Sequence, residues 1–104
     1  MAHVLVLMTA GSEDEAGAIA RTLVEERLAA CVNMVGGLTS HYRWEGKLCT
    51  DREWLLLAKT RRELLPRLEV RVRSLHSYTT PEIIAVPIDG GSESYLRWLD
   101  EATR

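Results

Sequence analysis

The chain has 104 residues, 46% of them apolar and 27% charged, with a formal net charge of −2. That length suits one domain, residues 1–104, with much of its surface left in water, and the composition is that of an ordinary globular protein. There is no basic footprint for nucleic acid or an anionic membrane, and no run approaches the roughly 20 apolar residues of a membrane span, so neither is an expected partner.

The N-terminal apolar run is too short for a signal-peptide core and has no basic region before it, which makes the cytoplasm the expected compartment. Val4 to Met8 is continuously apolar and closed by Thr-Ala-Gly, as in a strand covered on both faces. Ser12-Glu13-Asp14-Glu15 is a capping box at a positive helix end. Ala16, Ile19, Ala20, Leu23 and Leu28 then recur at near-helical spacing, which predicts a helix over Glu13 to Leu28. Ala29 to Val35 leads into Gly36-Gly37, where a bend or bulge is expected.

Thr39, His41 and Arg43 alternate with Ser40, Tyr42 and Trp44, and Glu45-Gly46 offers a tight hairpin turn. The strand returns over Lys47 to Lys59 and ends in Trp54-Leu55-Leu56-Leu57-Ala58, which sets large apolar side chains on both faces. Pro66 fits the first turn of a helix over Pro66 to Leu75, although Val70-Arg71-Val72-Arg73 also fits a strand. Ile83 to Ile88 is a further strand, and Ser92 caps a last helix carrying Tyr95, Leu96, Leu99 and Ala102. Cys31 and Cys49 lack C-x-x-C spacing and fall in expected strands, so they read as reduced, buried thiols.

The order strand, helix, strand, strand, helix, strand, with a terminal helix appended, is the split βαβ arrangement, an α+β ferredoxin-like sandwich. Its two main helices cover one sheet face. The other would expose more contiguous apolar surface than a monomer normally shows, and one short terminal helix is narrow beside four strands. At about 25 cal/mol per Å², burial between subunits contributes many kcal/mol before association costs, so a stable oligomer is expected.

Several motifs then combine: Leu28-Ala29-Ala30-Cys31-Val32-Asn33, Ser40-x-Tyr42-x-Trp44-Glu45-Gly46-Lys47, Lys59-Thr60, His76-x-Tyr78-x-x-Pro81-Glu82 and Tyr95-Leu96-x-Trp98-Leu99. In order and spacing, over almost the entire chain, they resemble the CutA-type divalent-cation tolerance proteins. The resemblance implies a ferredoxin-like fold and a homotrimer in which long hairpin strands extend onto neighbours and three sheets face a central axis. It also implies tolerance to copper and other divalent cations, with copper held by a cysteine near the end of strand one and adjacent histidines before a tyrosine.

By position those places are Met8 and Leu75-His76 here, so a single imidazole survives, and Ser77 stands where the family usually has Pro. Strand four beside strand one would bring Met8, His76 and Glu82 near one another. A thioether and an imidazole suit Cu(I) better than Zn(II), and two ligands make only a weak site. The bland alternative is that Met8 fills the core and His76 is structural.

The resemblance also gathers Lys59, Tyr78 and Glu82 around a cleft between subunits. Cys31 reads as a ligand or reactive thiol there, or as a small buried hydrophobe. Lys59-Thr60-Arg61-Arg62 is either an anion site at that cleft or a solvated strand end. Tyr42, Trp44 and Trp54 are expected at the subunit interface. His3 and His41 read as surface histidines. No G-x-S-x-G, H-E-x-x-H, P-loop or G-x-G-x-x-G pattern is present, and Gly90-Gly91 reads as a turn, so catalysis is not expected. Two function classes follow: a trimeric cation-tolerance protein that binds copper or another divalent ion weakly or contributes to tolerance indirectly, or a small-molecule or anion sensor or interaction module resembling the trimeric PII proteins.

Overall fold

The structure, a computed structural model, describes residues 2–104. Strand β1 (His3–Ala10) is followed by helix α1 (Glu13–Glu25), the long strands β2 (Cys31–Trp44) and β3 (Lys47–Arg61), a 3-10 turn (Arg62–Leu64), α2 (Leu65–Leu75), β4 (Ile83–Pro87) and α3 (Glu93–Ala102). The strands form one antiparallel sheet in the order β2-β3-β1-β4, the ferredoxin-like topology.

Register assigns the two faces. Val6 lies opposite Ala58 and Ala85, and with Val4, Met8 and Leu56 it is fully buried against Ile19 and Leu23 of α1 and Leu68 and Val72 of α2. The alternate residues Leu5, Leu7, Leu55 and Leu57, with Ile84 and Val86, form the other face. Helix α3 is tied only to one end of the sheet, where His3 meets Asp100 at 2.8 Å and Arg61 Nε donates to Thr103 Oγ1 at 2.8 Å. Ile84 is left 53% exposed, with Val86, Tyr95 and Trp98 each above 40%.

Strand β1 reaches β3 only from Trp54 to Arg61, so the pair from Leu38 to Glu53 continues as a two-stranded arm. The register shifts between Val35 and Leu38, at the expected Gly36-Gly37 bulge. The arm closes through Glu45 at φ 49° and Gly46 at φ 77°, the paired left-handed conformation of a type I′ turn. This arm stretches the molecule to 44 Å against 25 and 23 Å in its other directions.

Three expectations are corrected. Helix α1 ends at Glu25 rather than Leu28, because Arg27 takes a left-handed φ of 59°; Leu28 and Ala29 both return their N–H to the Leu23 carbonyl. Leu28 is buried from that turn instead. Only half the capping box forms: Ser12 Oγ accepts from Glu15 N–H, while the Glu15 carboxylate accepts from the Ser77 N–H and hydroxyl. Of the two readings open for Val70 to Arg73 the expected helix holds, with Val70 70% exposed. The cysteines are free but only partly buried, since Cys31 starts an edge strand and Cys49 lies on the arm where no third strand covers it.

Candidate functional site

The segment after α2 is fixed by hydrogen bonds rather than by regular structure. His76 leaves the helix with extended dihedrals and points its ring at the end of β1, Nε2 lying 2.7 Å from the Thr9 carbonyl oxygen. A carbonyl can only accept, so these partners assign the ring hydrogen to Nε2. Nδ1 is then an acceptor, and it takes the Tyr78 N–H at 3.1 Å. The two rings pack with centroids 4.7 Å apart. Glu15 holds Ser77 from the other side through bonds of 2.8 and 3.1 Å.

So positioned, Tyr78 reaches the root of the hairpin arm. Its hydroxyl donates to Glu53 Oε2 at 2.9 Å, and Glu53 is only 7% exposed. Gly11 permits this approach: a Cβ there would lie 2.9 Å from the Tyr78 oxygen. Burial, then the Glu53 carboxylate, pushes the Tyr78 hydroxyl up to about 12. On the arm the Tyr42 hydroxyl donates to Asp51, which pushes it up to about 12 as well. Both phenols therefore remain neutral donors to carboxylates through the physiological range.

Between the loop and the arm lies a cleft of about 620 Å³, walled by Thr9, Ser40, Tyr42, Trp44, Glu53, Tyr78 and Glu82 among others. Glu82 sits at its exposed edge, and burial, then the neighbouring Glu53, raises its carboxyl above the ordinary value. No lysine or arginine lines the space. It is a mixed aromatic and hydroxyl cavity with negative charge at its wall.

The expected site residues therefore fall into separate places. Tyr78 and Glu82 come together, joined by Glu53. Cys31 and Lys59 face each other directly across the β2–β3 pairing, with Lys59 Nζ against Asn33 Oδ1 and 3.9 Å from Cys31 Sγ. Lys59 is six residues along β3 from Glu53, about 20 Å at strand rise. Tyr42 and Trp44 are 40% and 46% exposed on the arm. Trp54, expected at an interface, instead faces its own helices and packs against the core beneath Gly36.

Met8 and His76 do not fit a copper ion as arranged. The Met8 side chain is fully buried in the core, and the His76 ring is fully enclosed with both nitrogens engaged. Among the described residues, no three of His, Cys, Asp and Glu are grouped so as to hold a metal.

Glu53 was not singled out from sequence. It shares the strand parity of Leu55 and Leu57, so it is a carboxylate in line with large apolar residues on the sheet face away from the helices. That parity is the signal which could have found it.

The profile of a family described as "CutA1 divalent ion tolerance protein" matches residues 4–102. A "Divalent-cation tolerance protein CutA" of Thermus thermophilus is 57% identical over 99 residues, which cover 95% of this chain and 96% of that protein. A solved structure of the divalent cation tolerance protein from the same organism superposes with a TM-score of 0.96 at 55% identity, covering 98% of this chain and 99% of that one. A chloroplastic CutA of Arabidopsis thaliana is 46% identical over 101 residues; these make up 97% of this chain but 56% of the plant protein.

Proposed function

This chain belongs to the CutA1 divalent ion tolerance protein family, and from that premise we propose that it serves divalent-cation tolerance as a homotrimer, by binding rather than by catalysis. The observation that carries the assembly is the bare sheet face. Ile84, Val86, Tyr95 and Trp98 are each more than 40% exposed, and α3 covers only one end. The two-stranded arm gives a second reason. An isolated hairpin is marginal in water, so one of this length gains stability by lying on a neighbouring copy. Tyr42 and Trp44 on that arm are then interface residues.

The metal response is assigned here without a resident copper at Met8 and His76. Copper there would have to open the core and displace the Thr9 or Tyr78 bond of the imidazole. Copper or another divalent cation is bound weakly, or tolerance is supported indirectly. The free cysteines suit a reducing compartment, and we place the chain in the cytoplasm.

A bacterium deleted for its own family member, challenged with copper and supplied with this chain, tests the role. Restored growth, with a sedimenting species of three times the 11.7 kDa chain mass, is the expected result. No change in survival, or a monomer at micromolar concentration, overturns it.

A second reading, a small-molecule sensor similar in architecture to the trimeric PII proteins, is favoured by one observation, the cleft of about 620 Å³ beside Tyr78. Its carboxylates disfavour an anion in that space. Lys59, the cation once expected to attract one, is occupied by Asn33 at the other end of β3.

A further inference from the structure

We propose that the outer groove between the end of α1 and α2 docks a short acidic peptide segment of a partner protein, with one apolar side chain seated beside Val70 and carboxylates on Arg67 and Arg71. Such docking goes beyond the tolerance role and uses the face turned away from the bare sheet.

Val70 poses the question. Most of the exposed large apolar side chains lie on the hairpin arm or the bare sheet face, which the proposed assembly covers, but Val70 stands on α2 with 70% of its surface in water. A β-branched residue gains nothing in propensity at an exposed helix position, so nothing within one chain favours it there. Arg67, Val70, Arg71 and Ser74 recur at i, i+3, i+4 and i+7, which lays them in one stripe along α2. Together with Leu28 and Pro66 that stripe lines a groove of about 490 Å³. The helices pack their apolar faces on the opposite side of the sheet from Ile84 and Val86. An assembly closed over the bare face therefore leaves α1 and α2 outward, and the groove is open in the single chain and in the trimer alike.

Charge selects the occupant. Residues 62–75 carry four arginines against two glutamates in a chain of net charge −2, so a basic strip lies on an otherwise acidic protein. Arg71 donates to Glu26 from Nε at 3.0 Å and from Nη2 at 2.9 Å, which fixes its guanidinium at the groove while leaving it 38% exposed. Arg67 lines the same space and, among the described residues, makes no ion pair. A carboxylate next to an apolar anchor matches the planar fork of that guanidinium, and the strip draws acidic segments toward it. A basic segment meets like charge. A nucleic acid or an anionic membrane needs a broader basic footprint than a groove for one or two side chains provides. Exposed ion pairs and a small contact make the binding weak and transient.

Titration of the isotope-labelled intact protein with acetyl-Glu-Glu-Leu-Glu-Glu-amide, followed by amide chemical shifts, tests this. Acetyl-Glu-Glu-Gly-Glu-Glu-amide lacks the anchor, and acetyl-Lys-Lys-Leu-Lys-Lys-amide reverses the charge. Saturable shifts centred on Leu28, Val70, Arg71 and Ser74 are expected, half-complete at about 1 mM or below. The glycine peptide should bind at least about fivefold more weakly and the lysine peptide not at all. Val70→Ala should weaken the leucine peptide by about threefold and Arg67→Glu by about tenfold. Arg21→Glu, the same charge change on α1 outside the groove, should cost less than about twofold. All three positions are exposed, so none of the substitutions touches the core. Absence of saturable shifts, equal binding of the glycine or lysine peptide, or equal loss in Arg21→Glu overturns the assignment. So do shifts at these residues on concentrating the protein alone, with sedimentation beyond a trimer, which give the groove to a second copy. A trimer that protects against copper but ignores the peptide removes this docking site and leaves the family role intact.

Discussion

The Tyr78 hydroxyl donates to Glu53 Oε2 at 2.9 Å, joining the loop after α2 to the strand that carries the hairpin arm. The contact spans 25 positions in the chain, so it fixes the arm relative to the body. Tyr78→Phe keeps the ring packed on His76 and deletes only the donor, leaving a nearly buried carboxylate without it. We expect a stability loss of about 1–3 kcal/mol by urea unfolding. A loss under about 0.3 kcal/mol would show that water from the cleft replaces the hydroxyl.

His76 acts as a latch between β1 and this loop. Its two ring nitrogens serve the Thr9 carbonyl and the Tyr78 N–H, and alanine would abandon both. His76→Ala should cost about 1–3 kcal/mol of stability, yet leave the affinity for copper as weak as in the unchanged protein. Copper titration of both proteins checks it. A tenfold or greater fall in copper affinity in the variant would restore the imidazole as a ligand.

The fold was legible because its periodicities are local: the apolar runs, Ser12, Pro66 and Glu45-Gly46 each act within a few residues of themselves. What was missed is long-range. Arg27 carries no turn signature, so the end of α1 depended on Leu28 turning back into the core rather than continuing the helix. Glu15 looks like the second half of a capping box, but Ser77, distant in sequence, offers it two donors that outcompete one backbone N–H. At the cleft, Tyr78 and Glu82 stood out in short motifs, whereas Glu53 becomes conspicuous only once register puts it beside Tyr78. Cys31 and Lys59 lie at the other end of β3 within one chain, so a cleft shared with Tyr78 and Glu82 would have to draw them from a neighbouring copy.

The bare sheet face yields a test of assembly that leaves the single-chain core alone. Ile84 points away from the helices and is 53% exposed, so Ile84→Glu costs little within one chain. Placed against a neighbour, that carboxylate would be buried without a partner. The variant should sediment as a monomer at micromolar concentration, where the unchanged protein should sediment as a trimer, and should keep its far-ultraviolet circular dichroism. A variant that still assembles with unchanged affinity would mean that Ile84 lies outside the contact.

Glu82 makes stability depend on pH, with a sign fixed by the direction of its shift. Burial, then the neighbouring Glu53 carboxylate, raises its carboxyl above 4.5. The folded chain therefore holds this proton more tightly than the unfolded one, so the contribution to stability is complete below the unfolded-state value and is lost as the pH rises through the raised one. Urea unfolding of the unchanged protein and of Glu82→Gln between about pH 4 and pH 7 checks it, because the variant lacks the titrating group. Stability should fall less steeply with rising pH in Glu82→Gln. Equal slopes in the two proteins would show that Glu82 does not carry the proton.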